Sequence, residues 1–234
     1  MGKAVEIEAH QRHHDVVHRL DRDCAEDEVR HALGQVEVAI EFTQPESVLK
    51  NIQLALECKT PLVTGTTGWY ERLDEVHAWC KVHQGAVLYA SNFSIGVNLF
   101  FKAAAYLAKM MYPYDDYQAS IQETHHVHKK DAPSGTAITL ARKVMEVYPS
   151  LTKWQLSPPA SHSQEVAQNT IPIEAKREGE VFGRHQLAFE SEIDRIALSH
   201  EAKNRRGFAL GAVQAAEWLS QRSGFYSMDD FISL

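Results

Sequence analysis

Acid–base and anion-binding side chains crowd into one segment, Glu123 to Ala137, which reads Glu-Thr-His-His-Val-His-Lys-Lys-Asp-Ala-Pro-Ser-Gly-Thr-Ala. Imidazole exchanges protons near neutral pH, and the lysine ammonium groups bind anions. Pro133 and Ser134 are typical of a helix start, where free N–H groups form a second kind of anion receptor. The segment therefore predicts an active site that binds an anionic substrate and transfers a proton to it.

The same histidines raise the alternative of a metal site, because imidazole ligates zinc and iron. His125 and His126 would point to opposite faces of a strand, which does not suit a shared ion. No downstream carboxylate or cysteine completes an evident ligand set, and Lys129 would repel a dication. We therefore predict that the site holds no metal.

The composition of the chain excludes several classes of protein. Its 234 residues, 44% hydrophobic and 24% charged, fit one large domain or two small ones. A net charge of -7 argues against non-specific nucleic-acid binding. No apolar run approaches a membrane span, and the three cysteines form no disulfide framework. We expect a cytoplasmic protein without nucleic-acid or membrane partners.

The first half of the chain alternates strands and helices. Period-two and buried apolar runs predict strands at 16–20, 36–43, 62–64 and 86–90, and helices at 3–13, 46–58 and 70–83. This alternation predicts a parallel sheet with helices on both faces. Two polar loops, 65–68 and 91–93, directly follow strands and are candidate ligand loops, although Gly65-Thr66-Thr67-Gly68 equally fits a plain turn.

The second half has a different pattern. We predict a helix at 95–111, a strand at 117–124, a helix that buries one face between Ala137 and Tyr148, and a surface loop at 149–169. Strands at 170–176, 181–190 and 192–199 precede a last helix at 207–222. Three strands in a row indicate an open mixed or antiparallel sheet, and hence an α+β domain.

These residues resemble those of the dihydrodipicolinate reductase family. The segment 123–137 fits the motif Glu-x-His-His-x-x-Lys-x-Asp-x-Pro-Ser-Gly-Thr-Ala without a departure. Supporting matches occur in order along nearly the whole chain, at Phe42-Thr43-x-Pro45, Gly65-Thr66-Thr67-Gly68, Asn92-Phe93-Ser94-Ile95-Gly96-Val97-Asn98, Arg177-x-Gly179, Gly183-x-His185 and Gly211-Ala212-Val213.

The resemblance implies an α/β Rossmann-type doubly wound parallel sheet plus a second α+β domain with an open mixed sheet. Residues 1–92 and 206–234 would bind the dinucleotide, and residues 93–205 would bind substrate and form a homotetramer. The family opens with a strand and a Gly-x-x-Gly-x-Met-Gly loop, whereas Met1-Gly2-Lys3 resembles only the tail of that loop. We expect the first strand and most of the loop to be missing, through a start-site error or a real truncation.

The implied activity is reduction of a cyclic imine dicarboxylate, 4-hydroxy-tetrahydrodipicolinate, to tetrahydrodipicolinate by NADH or NADPH, in lysine and diaminopimelate biosynthesis. Two alternatives stay open. The chain could be a non-catalytic homologue that binds a dicarboxylate or acts as an assembly partner, because most of the glycine loop is not seen. It could also be a different reductase of the same two-domain type.

By family position, His125 is the general acid and Lys129 stabilises negative charge. The expected substrate contacts are His126, Lys129, Ser134, Gly135 and Thr136. The expected coenzyme contacts are Gly2, Asp21, Arg22, Phe42, Thr43, Gly65, Thr66, Thr67, Ala90, Ser91, Asn92, Phe93 and Arg205. Asp21 favours NADH and Arg22 favours NADPH, so tolerance of both is expected. Arg205 equally fits a solvated surface charge, and His185 is expected to be structural.

Overall fold

The computed structural model describes residues 1–157 and 168–233. The chain forms two compact units, which we call unit 1 (Met1–Asn98 and Arg206–Leu234) and unit 2 (Leu99–Arg205). Unit 1 carries a four-stranded parallel sheet, and unit 2 carries a five-stranded mixed sheet. The predicted fold class is therefore confirmed.

Helices and strands follow one another along the chain in the order α1 (Gly2–Gln11), α2 (Glu26–Leu33), β1 (Ala39–Glu41), α3 (Pro45–Glu57), β2 (Leu62–Thr64), a 3₁₀ turn (Tyr70–Arg72), α4 (Leu73–His83), β3 (Ala86–Tyr89), α5 (Ile95–Met111), β4 (Gln118–His125), α6 (Gly135–Met145), β5 (Lys153–Ser157), β6 (Thr170–Arg177), β7 (Arg184–Glu190), β8 (Arg195–Glu201), α7 (Arg206–Leu219), β9 (Gly224–Ser227) and α8 (Met228–Phe231). Among the described residues, no helix is long and apolar enough to cross a membrane.

The sheet of unit 1 is covered by helices on both faces. Its strand order is β1-β2-β3-β9. Successive side chains of β2 point to opposite faces, so Leu62 packs with Ile52 and Val76 of α3 and α4, whereas Val63 packs with Ala212 of α7. Burial on both faces explains why these short strands are almost entirely apolar.

Several predicted elements of the chain need correction. Residues 16–20 are not a strand: a strand needs a hydrogen-bonded neighbour, and in the described sheet β1 pairs only with β2. The predicted loop at 149–169 contains β5, which pairs in parallel with β6, while residues 158–167 lie outside the described part of the chain. The prediction also omitted α2, β9 and α8.

The mixed sheet of unit 2 places β4 at its centre, in the order β5-β6-β4-β7-β8. β4 runs parallel to β6 and antiparallel to β7. This register sets Glu123 opposite His185 on one side and His125 opposite Arg177 on the other. The carboxyl end of β4, which holds the predicted catalytic segment, is therefore supported by polar side chains from both neighbours.

Close packing at Gly211 gives a stability prediction. A Cβ at Gly211 in α7 would lie 1.8 Å from the backbone oxygen of Phe93, so Gly211→Ala forces the backbone to move. We expect it to lower the free energy of unfolding by about 3 kcal/mol or more, measured by urea denaturation. The control is Gly34→Ala, whose Cβ would meet neighbours at an ordinary 3.6 Å. Equal stability of the two variants would contradict the packing.

Candidate active site

Glu123 and His125 form the buried centre of the site. They are two residues apart on β4, so their side chains lie on the same face. Glu123 is 0% exposed and His125 is 8% exposed. His125 Nδ1 lies 2.7 Å from Glu123 Oε2, although the geometry is not that of an aligned hydrogen bond. The contact is therefore chiefly electrostatic.

Three further groups surround the Glu123 carboxylate. Its Oε1 accepts the Ser134 N–H at 3.1 Å and lies 3.3 Å from Arg177 Nη2, and its Oε2 lies 3.9 Å from His185 Nε2. Burial favours the neutral acid, but the close His125 ring and the hydrogen bond from Ser134 outweigh it and lower the pKa of Glu123 to about 2. Glu123 therefore carries a negative charge at neutral pH.

The charge on Glu123 determines which atom of His125 can transfer a proton. Because Nδ1 faces the carboxylate, Nε2 is the ring nitrogen left for other partners. A Cβ at Gly183 would lie only 3.1 Å from that Nε2, so the glycine leaves the space beside it open. The arrangement suits a histidine that is oriented through one nitrogen and gives up a proton from the other.

His185 is buried beside the same carboxylate, and its Nε2 lies 3.1 Å from Ser134 Oγ. Burial, reinforced by the neighbouring His125, lowers the pKa of His185 to about 4. The imidazole of His185 is consequently neutral at pH 7. It packs edge-on against His125, with ring centroids 5.1 Å apart, and helps to fix that ring.

The start of α6 provides an anion receptor. Ser134 caps the helix: its Oγ accepts the Ala137 N–H at 3.2 Å, and its carbonyl oxygen accepts the Ile138 N–H. Among the described residues, the N–H groups of Gly135 and Thr136 have no hydrogen-bond partner. Nothing lies within 4 Å of the position that a Cβ would take on Gly135. A carboxylate can therefore reach these donors.

Lys129 lies on the turn between β4 and α6. Its Nζ donates to Asp131 Oδ1 at 2.8 Å, and the Lys129 side chain is 22% exposed. Arg177 holds the turn by donating to the carbonyl oxygens of Asp131 at 2.6 Å and Lys129 at 3.3 Å. His126 is half-buried after the strand, with its ring 6.1 Å from that of exposed His128.

The structure brings together a different set of possible metal ligands from the one the sequence suggested. Among the described residues, the ligand atoms that come within 4.8 Å of one another are those of Glu123, His125 and His185. The guanidinium of Arg177 lies 3.3 Å from the same carboxylate and opposes a dication. The absence of a metal stays a prediction.

The predicted coenzyme loops lie at the carboxyl ends of three neighbouring parallel strands. Phe42 and Thr43 follow β1, residues 65–67 follow β2, and residues 90–93 follow β3. An open cleft of about 460 Å³ is lined by Met1, Phe42, Thr43, Gln44, Pro45, Gly65, Thr66 and Thr67. Its lining has aromatic, hydroxyl, amide and apolar side chains and no charged side chain, which fits the neutral amide-bearing ring of a reduced nicotinamide.

Aromatic packing joins all three of these loops. The ring of Phe42 fills the space over Gly65, where a Cβ would lie 1.9 Å from the ring. Phe42 also packs edge-on against Phe93, with ring centroids 5.9 Å apart. In the third loop, the Ala90 N–H donates to the Thr64 carbonyl oxygen at 3.1 Å, and Asn92 Oδ1 accepts the Ser94 N–H at 2.9 Å.

Eight predicted coenzyme residues do not line this cleft: Ala90, Ser91, Asn92 and Phe93 of the third loop, and Gly2, Asp21, Arg22 and Arg205. Gly2 is an exposed residue at the start of α1, and Asp21 and Arg22 are exposed in a turn. Asp21 Oδ1 accepts the Arg22 N–H at 2.8 Å, and the Arg22 side chain pairs loosely with Asp23 at 3.7 Å. Arg205 is exposed just before α7 and forms no ion pair within the described part of the chain.

Sequence reasoning missed the supporting residues of the catalytic segment. Glu123 was part of the motif, and its spacing from His125 was a usable signal, because residues i and i+2 of a strand share a face. His185 was expected to be merely structural, and Arg177 received no role. Both are distant in sequence and reach Glu123 through the pairing of β4 with β7 and β6, which no local pattern reveals.

Solved structures define the general class of the chain. An engineered D-amino acid dehydrogenase bound to NADP+ is 14% identical and covers 97% of this chain and 89% of its own, with a TM-score of 0.50. That similarity shows the fold alone. A dipicolinate-bound dihydrodipicolinate reductase from Paenisporosarcina sp. TG-14 is 27% identical over 84% of this chain and 73% of its own, with a TM-score of 0.69. The chain thus shares the fold of these two oxidoreductases.

Sequence comparisons define the family. The family model "Dihydrodipicolinate reductase, N-terminus" matches residues 1–93, and "Dihydrodipicolinate reductase, C-terminus" matches residues 96–232. The 4-hydroxy-tetrahydrodipicolinate reductase of Christiangramia forsetii is 42% identical over 100% of this chain and 94% of its own length. That of Archaeoglobus fulgidus is 37% identical over 84% of this chain and 76% of its own. The chain belongs to the dihydrodipicolinate reductase family and is an oxidoreductase.

The lowered pKa of His185 predicts a pH-dependent stability. The unfolded chain binds a proton near pH 6.5, whereas folded His185 does so only near pH 4, so stability is lost as pH falls between these values. We expect the free energy of unfolding to fall by about 3 kcal/mol over this window. Glu123 adds no slope down to about pH 5, because both its folded and its unfolded forms are ionised there.

Urea denaturation at intervals from pH 7 to pH 4 measures this effect. His185→Asn should remove most of the pH dependence of the free energy of unfolding between pH 6.5 and pH 5, and the exposed-residue control His13→Asn should keep it. If the free energy of unfolding depends on pH equally in the unsubstituted protein and in both variants, His185 is not the source of that dependence.

Proposed function

We propose that this protein reduces 4-hydroxy-tetrahydrodipicolinate to tetrahydrodipicolinate with NADH or NADPH, in lysine and diaminopimelate biosynthesis. One observation carries the proposal: the buried Glu123–His125 contact lies beside the open N-terminus of α6. The Glu123 carboxylate thus contacts both the proposed proton donor, His125, and the helix start that can receive a substrate carboxylate. Relatives that bear the name of this activity, and the related structure with bound dipicolinate, support the choice of substrate.

His125 serves as the general acid in this proposal. Loss of the 4-hydroxyl group as water would leave a conjugated imine, and a bound reduced nicotinamide would supply a hydride to one of its ring carbons. The electron pair that moves toward the imine nitrogen must then take a proton, and His125 donates it from Nε2. Glu123, negatively charged at neutral pH, holds Nδ1 and stabilises the imidazolium from which that proton leaves.

The two substrate carboxylates have separate receptors. One accepts the N–H groups of Gly135 and Thr136 at the start of α6, together with the Thr136 hydroxyl. The other binds the Lys129 ammonium, which in this structure is paired with Asp131. Because Asp131 is 62% exposed at its side chain, its carboxylate can return to water when a substrate carboxylate takes its place. His126 is a further substrate contact.

Unit 1 binds the coenzyme and unit 2 binds the substrate in this proposal. The cleft at the ends of β1 and β2 would hold the nicotinamide, with Phe42, Thr43 and residues 65–67 around it. Asp21 and Arg22 are neighbouring exposed groups, and we propose that either coenzyme is accepted. Ala90, Ser91, Asn92, Phe93, Gly2 and Arg205 complete the proposed coenzyme contacts. The homotetramer and the cytoplasmic location stay predictions from the resemblance.

The general-acid role predicts the result of one substitution. His125→Gln removes the proton donor, so kcat should fall by about 10² to 10⁴ while bound dipicolinate keeps its affinity within a few-fold. Steady-state kinetics with NADH and with NADPH, together with a dipicolinate titration, measure both quantities. His128→Gln is the matched control, because His128 belongs to the same segment and is 76% exposed at its side chain.

His128→Gln should keep wild-type rates. Full activity of His125→Gln would remove His125 from this role. No turnover by the unsubstituted protein with either coenzyme would instead favour the non-catalytic alternative.

The helix receptor makes a separate prediction. A methyl group on Gly135 enters open space in the protein but occupies the approach of the substrate carboxylate. Gly135→Ala should therefore leave the melting temperature unchanged and weaken dipicolinate binding by about tenfold, since roughly 1.4 kcal/mol of binding is lost. Calorimetric titration and thermal unfolding measure the two effects. Wild-type affinity would show that the carboxylates bind elsewhere.

A further inference from the structure

A second buried carboxylate, that of Glu41, lies beneath the coenzyme cleft of unit 1. Glu41 is the last residue of β1 and is 8% exposed. Within the described part of the chain it forms no ion pair with a lysine, arginine or histidine. An unpaired buried carboxylate is costly unless hydrogen-bond donors surround it, so the donors at Glu41 have a structural or functional purpose.

Three threonine hydroxyls supply these donors. Thr66 Oγ1 donates to the carboxylate, 2.9 Å from Oε1 and 3.1 Å from Oε2. Thr64 Oγ1 donates to Oε2, and Thr43 Oγ1 donates to Oε1. Thr43 lies in the loop after β1 and Thr66 in the loop after β2, so one carboxylate ties together both loops that line the cleft.

The direction of each hydrogen bond follows from Glu41. A hydroxyl has one hydrogen, and here that hydrogen is directed at the carboxylate, which leaves the oxygen lone pairs for N–H donors. Thr66 Oγ1 accordingly accepts the Thr43 N–H at 2.8 Å, and Thr64 Oγ1 accepts the Thr66 N–H at 3.3 Å. The backbones of the two loops are thus fixed through the hydroxyls that Glu41 orients.

The same geometry limits how the cleft can contact a ligand. The hydroxyl hydrogens of Thr43 and Thr66 are used by Glu41, so these hydroxyls cannot donate a hydrogen bond to a ligand. Thr67 is exposed, and its hydroxyl has no hydrogen-bond partner among the described residues. Thr67 is therefore the threonine of this loop whose hydroxyl is able to donate a hydrogen bond to a ligand.

We propose that Glu41 is a positioning residue for coenzyme binding, which acts by orienting Thr43 and Thr66 and so holding the loops after β1 and β2 in their binding conformation. The inference rests on the proposed function, because it takes this cleft as the nicotinamide site. Glu41 itself lies under the loops and contacts neither substrate nor coenzyme in this proposal.

The test compares NADH binding and stability in four single variants and one double variant. Glu41→Gln replaces one carboxylate oxygen by an NH₂ donor, so at least one threonine hydroxyl must turn and one backbone bond is lost. We expect the dissociation constant for NADH to rise by 10- to 100-fold, while the affinity for dipicolinate and kcat at saturating NADH change less than threefold. Glu41→Asp keeps the charge and should bind NADH more tightly than Glu41→Gln.

Thr66→Val and Thr60→Val form a matched pair. Thr66 donates to Glu41, whereas Thr60 is a buried threonine of the same unit that donates to the Leu33 carbonyl oxygen at 2.8 Å. Both variants lose one buried hydroxyl, but only Thr66→Val should weaken NADH binding. The double variant Glu41→Gln/Thr66→Val should weaken it by less than the product of the two single effects, because both act through one network.

The possible outcomes separate this inference from the proposed function. Wild-type NADH affinity in Glu41→Gln would overturn the role of Glu41. So would a double variant whose rise in the NADH dissociation constant equals the product of the two single rises. Neither result would contradict the proposed reductase activity. Equal weakening by Thr60→Val would show a general loss of stability instead and would also overturn it. If Glu41→Gln does not fold, Glu41→Asp and the threonine pair decide the question. Absence of NADH and NADPH binding by the unsubstituted protein would contradict the proposed function itself.

Discussion

Compensation of the buried charge on Glu123 is the constraint on which the catalytic segment depends. A carboxylate with no exposure to solvent is tolerated only where donors and positive groups meet it. Glu123 meets the His125 ring, the Ser134 N–H and the Arg177 guanidinium. These contacts fix the imidazole, the first turn of α6 and the turn that Arg177 holds. The proposed acid and the proposed anion receptor are therefore consequences of one buried charge.

In unit 1, neutral hydrogen-bond donors compensate the buried charge of Glu41. Three hydroxyls surround it in place of cations, so the nearby cleft gains rigidity without any positive side chain in its lining. This difference agrees with the chemistry proposed for each unit. A nicotinamide amide needs polar but uncharged surroundings, whereas a dicarboxylate needs positive charge and free N–H groups.

The sequence predicted what depends on local pattern. The long apolar run from Ile95 to Met111 marked α5 with the bounds that the structure shows, because a buried helix has an unmistakable period. Residues 16–20 have the composition of a strand, yet a strand also needs a paired neighbour, which composition does not show. The partners of Glu123 were hidden for the same reason: His185 and Arg177 reach it only through the register of β4 with β7 and β6.

The charges around the proposed substrate site nearly cancel before substrate binds. Glu123 is balanced by Arg177, Lys129 by Asp131, and His185 is held neutral by burial. In the proposed reaction, a dianionic substrate replaces Asp131 at Lys129 and brings one further negative charge close to His125. That charge favours the imidazolium over the neutral ring, because opposite charges stabilise each other in a site sheltered from water. The substrate would thus help to load the proton that its own reduction requires.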